Sequence, residues 1–194
     1  MTEKITPFNI ERVKTPEQLD EAFNRGLVEL YQAVFADPPY EEQFEPEEVK
    51  SFFEAYYLQG VLMLAQEDAQ NVIGFSAAIP LVLEAEIARI AQNFGIDPEV
   101  VWYFADLGVA HEHRRNKIAQ ELVTALVGET PADTLLMRTS QDNIASQRVN
   151  QRVGFQIVDG MEQFVEQARQ DGEVRTDRRI FLKKDKVNVD EQGK

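Results

Sequence analysis

The segment that most constrains this chain is residues 101–126. An apolar strand pattern, V-W-Y-F-A-D-L-G-V, passes almost directly into the basic knot H-E-H-R-R-N-K, and from there into a helix pattern carried by Ile118, Leu122, Val123 and Leu126. A helix that starts straight from a tight loop presents its first backbone N–H groups, which have no intrahelical partner, to whatever lies over the strand's end. The helix dipole adds partial positive charge at that point. Arg114, Arg115 and Lys117 add side-chain cations. Such a place suits a diphosphate. The loop lacks the glycines of a Walker or Rossmann loop, so neither a nucleoside triphosphate nor NAD is indicated.

The knot stands out because the rest of the chain is acidic, with a formal net charge of −14. A field of that sign repels phosphate backbones and favours cationic small molecules, so nucleic acid is not an expected partner. The chain has no cysteine, which excludes thiol nucleophiles, disulfides and Cys-based zinc sites. His111 and His113 are its 2 histidines, and no third ligand of matching spacing accompanies them. No metal is therefore expected. Residues 1–8 contain no signal-peptide core, and no apolar run approaches the roughly 18 residues of a membrane span. The expectation is a soluble cytoplasmic protein without a membrane partner.

Periodicity supplies the order of elements. Thr15-Pro16-Glu17-Gln18 reads as a capping box with proline at the first helical position. Leu27, Leu30, Tyr31, Val34 and Phe35 continue it at helical spacing to Asp37-Pro38-Pro39-Tyr40. A second helix from Pro46 carries Val49, Phe52, Phe53 and Tyr56 and stops at Gly60. Two apolar runs, 61–65 and 72–79, read as a hairpin about the acidic turn 67–71. Leu83, Ile87, Ile90, Ala91 and Phe94 mark a helix ending at Gly95, a candidate lid or dimer element. After the 101–126 unit come a strand at 134–139, a helix at 143–153 stopped by Gly154, and strands to Leu182 with a long turn at 170–172. Residues 183–194 are polar and are expected to form a disordered tail, leaving 1–182 as a single domain. Helices and strands in this order pack as an α/β (α+β) mixed sheet with helices on both faces.

The run D-L-G-V-A-H-E-H-R-R-N-K-I-A-Q-E-L-V resembles the acetyl-CoA motif of the GNAT superfamily, an acidic residue, Leu, any residue and Val on a strand, then Arg/Gln-x-x-Gly-x-Gly/Ala opening a helix. Arg114 takes the Arg/Gln place and Ala119 the final small place, while Lys117 stands where the first glycine is usual. Downstream, Asn143, Ala145, Asn150 and Val153-Gly154-Phe155 resemble the family's Asn-x-x-Ala…Tyr-x-x-x-Gly-Phe signature, with Asn150 in the tyrosine place. The resemblance spans about residues 27–182. It implies a mostly antiparallel sheet of about six to seven strands. It also implies an N-acetyltransferase that moves an acetyl (acyl) group from acetyl-CoA to the primary amine of a small, cationic acceptor by direct attack in a ternary complex. The cosubstrate would be held by Leu107, Gly108, Val109, Arg114, Arg115, Asn116, Lys117, Ile118, Ala119, Asn143 and Asn150. A main-chain N–H near 107–109 would polarise the thioester carbonyl. The rival reading is a CoA-binding or protein-interaction domain with a degenerate site.

Single residues refine this. Asp106 interrupts a strand that is otherwise Val, Trp, Tyr, Phe, Ala and Leu; it either faces solvent or serves as a general base. Tyr103, three residues earlier, should face the other way by strand alternation and act in packing. Asn150 cannot act as a general acid and can offer only a neutral hydrogen bond to the sulfur end of the cosubstrate. Arg148 and Arg152 flank it and should be solvated. A Lys117 forced into the left-handed region should cost about 1 kcal/mol or more.

Overall fold

A computed structural model describes residues 7–67, 71–168 and 172–186. The element order is β1 (Asn9–Arg12), α1 (Pro16–Asn24), α2 (Leu27–Ala36), α3 (Pro46–Gln59), β2 (Val61–Glu67), β3 (Asn71–Pro80), a 3-10 turn (Leu81–Leu83) and α4 (Ala85–Asn93). It continues through β4 (Val101–Val109), a second 3-10 turn (His111–His113), α5 (Ile118–Glu129), β5 (Thr134–Ser140), α6 (Ile144–Arg152), β6 (Gln156–Ala168) and β7 (Val174–Asp185).

The strands form one 7-stranded sheet in the order β1-β2-β3-β4-β5-β7-β6. Every pairing is antiparallel except β4 with β5. Helices cover both faces, as the element order predicts. On one face α1 to α4 bury Leu19, Leu27, Tyr31, Val49, Phe53 and Ile87 against Phe75, Ala77 and Tyr103. On the other, Ile118, Leu122, Val123 and Leu126 of α5 pack on Met63, Ile73, Phe104 and Leu135. Burial of this apolar surface is the main driving force for the fold.

Two details of β4 position the site. Its parallel ladder with β5 runs only from Val101↔Thr134 to Phe104↔Met137. Beyond that point β4 stays on β3 and β5 stays on β7, so the sheet opens between them. The second detail is a bulge. Ala77 pairs with Asp106 and Ala78 with Phe104, so Ala105 has no opposite residue. One extra residue shifts strand alternation by one. Tyr103 and Asp106 therefore share a face, contrary to the simple alternation expected for them.

Other expectations change as well. The single helix read through Phe35 is two, because Gly26 adopts φ 87° at the start of α2. The capping box at Thr15 forms and belongs to the short α1. β1 was not foreseen; N-I-E-R is a short, half-polar edge segment with little periodic signal. The helix expected at 83–94 is shorter, since Leu83 belongs to the preceding 3-10 turn. β7 continues to Asp185, past the point where the polar tail was expected. Its Lys183, Lys184 and Asp185 complete the ladder with β5. Residues 1–6, 187–194, most of the acidic turn (68–70) and most of the long turn (169–171) lie outside the described residues.

Candidate active site

On the α2–α3 side of the open sheet lies a cavity of about 430 Å³. Asp106 stands on its floor. The hydroxyls of Tyr56 and Tyr31 both donate to Asp106 Oδ2, at 2.5 and 3.3 Å. Among the described residues both hydrogen bonds to the carboxyl go to Oδ2, which leaves Oδ1 as the oxygen for a ligand. Burial pushes the Asp106 carboxyl above the usual aspartate range, opposed by the Tyr56 and Tyr31 hydrogen bonds and then by Arg138 and Arg179. Burial likewise raises both tyrosine hydroxyls, and the neighbouring Asp106 charge raises them further, so they remain donors. Aromatic rings line the wall above: Tyr31 stacks on Phe75 and meets Phe35, Phe44 and Phe52.

The cavity's rim is charged. Glu42 and Glu84 line it, each held above the ordinary glutamate range chiefly by burial. Arg179 meets Glu42 at 3.3 Å and Asp177 at 2.6 Å and covers the Tyr40 ring at 4.7 Å. Arg138 donates to Gln163, and its charge opposes the upward shift of the nearby Tyr103 hydroxyl. Burial, first among its influences, keeps that tyrosine protonated too.

Beside the cavity, the basic knot folds as the strand-to-helix pattern predicts. Arg115 and Lys117 both take positive φ, 69° and 64°. Lys117 is the N-cap of α5 and supplies no side-chain cap. The first α5 bond is Glu121 N–H to the Lys117 carbonyl, so the N–H groups of Ile118 and Ala119 are left for an anion. Arg114, Arg115 and Lys117 are exposed around this cradle and Asn116 is partly so. Arg114 donates to Asp37 Oδ2 at 2.8 Å and to the Val109 carbonyl at 3.3 Å. Of the remaining expected residues on β4, Leu107 lines the cavity and Val109 is buried. Gly108 is required by packing, because a Cβ there would sit 2.5 Å from the Phe75 ring. His113 pairs with Glu67 at 3.4 Å, and no metal-holding group occurs among the described residues.

The α6 residues divide. Asn143 caps the helix by accepting from Ser146 N–H, lines the cavity and donates to the Tyr40 hydroxyl at 3.3 Å. Asn150 does not join it. It is completely buried, its amide donates to the Ser146 carbonyl at 2.9 Å, and its Oδ1 has no partner. The residue three after Asn143 is Ser146, not Ala145, and Ser146 is the one on the cavity wall. Arg148 and Arg152 are exposed, as expected.

The family model described as "Acetyltransferase (GNAT) family" matches residues 25–155, which include the cradle, Asp106 and α6. The chain belongs to the GNAT acetyltransferase family. The similar solved structures agree on the fold. The structure of yncA from Salmonella typhimurium, which holds its cofactor acetyl-CoA, has a TM-score of 0.65 at 14% identity and covers 96% of each chain. Ribosomal-protein-alanine N-acetyltransferase from Brucella melitensis has a TM-score of 0.64 at 18% identity, covering 91% of this chain and 99% of that one. Diaminobutyrate acetyltransferase EctA from Paenibacillus lautus, bound to L-2,4-diaminobutyric acid and coenzyme A, has a TM-score of 0.60 at 17% identity, covering 94% and 98%. No curated protein matches the chain in sequence.

For this GNAT chain, several cavity residues escaped the sequence reading. Tyr31 and Tyr56 looked like core, since tyrosine at helical spacing carries no sign of a partner 75 or 50 residues away. Arg138 did carry a signal. It interrupts the apolar strand T-L-L-M-R-T-S as Asp106 interrupts its own, and the same argument applies to it.

Proposed function

We propose that this GNAT protein transfers an acetyl group from acetyl-CoA to the primary amine of a small acceptor seated in the cavity over Asp106. The observation that carries the reading is the Asp106 carboxyl, raised by burial and lining the cavity just past the point where β4 and β5 part. The residues present fit acetyl-CoA: free N–H groups and cations for its diphosphate, and an open β4 edge for its amide-bearing arm. Arg114, Arg115, Asn116, Lys117, Ile118 and Ala119 would hold the first, and Leu107, Gly108, Val109 and Asn143 the second. When bound, acetyl-CoA supplies the thioester carbonyl.

The chain's own residues then have distinct tasks. Main-chain N–H groups at 107–109 on the open edge stabilise charge on the carbonyl oxygen. Asp106 Oδ1 takes a proton from the acceptor's ammonium, directly or through water, and its raised pKa brings it closer to the working pH of a general base. Tyr56 and Tyr31 hold the carboxyl by Oδ2 and so fix which oxygen faces the amine. Aromatic walls exclude water and position the acceptor.

The test is CoA thiol release with a panel of primary amines, with coenzyme A binding measured separately. Asp106→Asn should keep CoA affinity and lower turnover by roughly 10²-fold. The wild-type rate should climb with pH through an acid limb lying above the ordinary aspartate range of about 3.9. Full activity of the folded variant across about pH 6 to 9 would return Asp106 to a structural role. The second reading, CoA binding without turnover, is favoured by one observation, that no residue of α6 offers a titratable proton at the Asn150 place. Thiol release by any amine excludes it.

A further inference from the structure

The charges lining the acceptor cavity do not cancel in pairs. Arg179 is ion-paired, 3.3 Å from Glu42 and 2.6 Å from Asp177, and packs over Tyr40. Arg138 is not. β5 places it on the same cavity wall, half-buried, and its hydrogen bond runs to the neutral Gln163 side chain. It makes no ion pair with a carboxylate among the described residues. A guanidinium has more N–H donors than this one contact uses, and they are arranged as a planar fork that matches a carboxylate.

Asp106 and Glu84 line the same cavity, and their carboxyls are both raised by burial and both lowered by the Arg138 charge. Glu42, paired with Arg179, also feels the Arg138 charge, and neither Asp106 nor Glu84 makes an ion pair with Arg138 among the described residues. An acceptor that is only cationic would answer Asp106 and Glu84 and would bring positive charge against Arg138, a repulsion that a specific site avoids. An acceptor with an amine and a carboxylate answers both ends.

We propose that the acceptor is a small zwitterion of the amino-acid class, its carboxylate forked on Arg138 and its amine facing Asp106 Oδ1. This rests on reading the cavity as the acceptor site of an acetyltransferase. The acceptor nitrogen forms the amide bond to the acetyl carbon as the thioester C–S bond breaks. Of the two protons the ammonium loses, one leaves through Asp106 to solvent and one ends on the CoA thiol. The product is an N-acetyl amino acid. The aromatic rings of Phe35, Phe44 and Phe52 along the wall favour an apolar side chain.

The test compares L-methionine, L-phenylalanine and L-lysine with their carboxamides and their decarboxylated amines. Thiol release from acetyl-CoA gives kcat/KM, and calorimetry gives Kd in the absence of turnover. At least one acid should exceed its carboxamide by about tenfold or more in both, the kinetic difference lying in KM. In Arg138→Gln that preference should fall below about threefold, and Arg138→Lys, which keeps the charge without the fork, should fall between. Equal handling of acid and carboxamide by the wild type overturns the proposal. So does an undiminished preference in folded Arg138→Gln, or no binding by any acid. Acids that bind through Arg138 without thiol release would uphold the zwitterion site and remove acetyl transfer. Amides and amines turned over as well as acids would do the reverse.

Discussion

A carboxylate whose pKa is higher in the folded than in the unfolded chain keeps its proton longer when folded, so stability falls as pH rises between the two values. Asp106 is in that position, because burial outweighs the help of Tyr56, Tyr31 and Arg138. Below about pH 3.9 both states are protonated and the residue contributes nothing to pH dependence. Above its folded-state pKa the full penalty applies. Asp106→Asn removes the charge and still offers an oxygen to the Tyr56 and Tyr31 hydroxyls. Its Tm at pH 7 to 8 should exceed the wild type's by about 2 °C or more, and the gap should close as the pH approaches about 4. A gap that widens on acidification would mean that the charged form of Asp106 stabilises the fold. Asn150 presents the opposite case, a residue that resembles a catalytic position yet lies wholly inside the packing with its amide on Ser146. Asn150→Ala should lower turnover by no more than about tenfold and leave the alkaline limb of the pH profile in place. A loss above about 10³-fold in the folded variant would make Asn150 an organiser of the thioester. Asn150→Tyr, inserting a ring where no surface is exposed, should destabilise by about 1–3 kcal/mol.

The turn into α5 depends on one residue in an unfavourable backbone conformation. Lys117 at φ 64° and ψ 2° occupies the left-handed region without a side-chain cap. Lys117→Gly should therefore stabilise the chain by about 1 kcal/mol, read as a rise in Tm, whereas Lys117→Val should destabilise it. A lower Tm for the glycine variant would mean that the lysine side chain holds the loop. This strain was legible in the sequence, because the strand, the basic knot and the helix periodicity leave no other place for the turn. The two-faced fold was legible for the same reason, with Val49, Phe53 and Tyr56, or Leu122, Val123 and Leu126, marking one face of each helix. The elements that escaped are those where a local residue overrides the pattern. Gly26 divides a helix whose apolar spacing runs on, and Ala105 bulges within a strand where alanine looks like any other apolar residue. That bulge brings Tyr103 to the face that carries Asp106. The site's ion pairs and tyrosine hydrogen bonds join residues far apart in sequence, and periodicity has no term for them.

At the scale of the whole molecule, the cradle for the cosubstrate and the wall of the acceptor cavity meet at one ion pair. Arg114 leaves the end of β4 and binds Asp37 at the end of α2, just before Tyr40 enters the cavity. Both side chains are about two-fifths exposed, at 40% and 41%, so the pair itself adds little to stability. Its importance is electrostatic. In a chain of net charge −14, an anionic cosubstrate must find local cations, and Asp37 neutralises one of them until a diphosphate competes for it. Arg114→Glu replaces that cation with a second carboxylate opposite Asp37. It should weaken coenzyme A binding by at least about tenfold, or 1.4 kcal/mol, with the Tm of the free chain changed by only a few degrees. Asp37→Asn releases Arg114 from its partner and should hold or tighten coenzyme A binding. Calorimetric titration of both variants decides the matter. Equal loss of affinity in the two would mean that the ion pair acts by bracing the loop, and unchanged affinity in folded Arg114→Glu would remove the diphosphate from this end of α5.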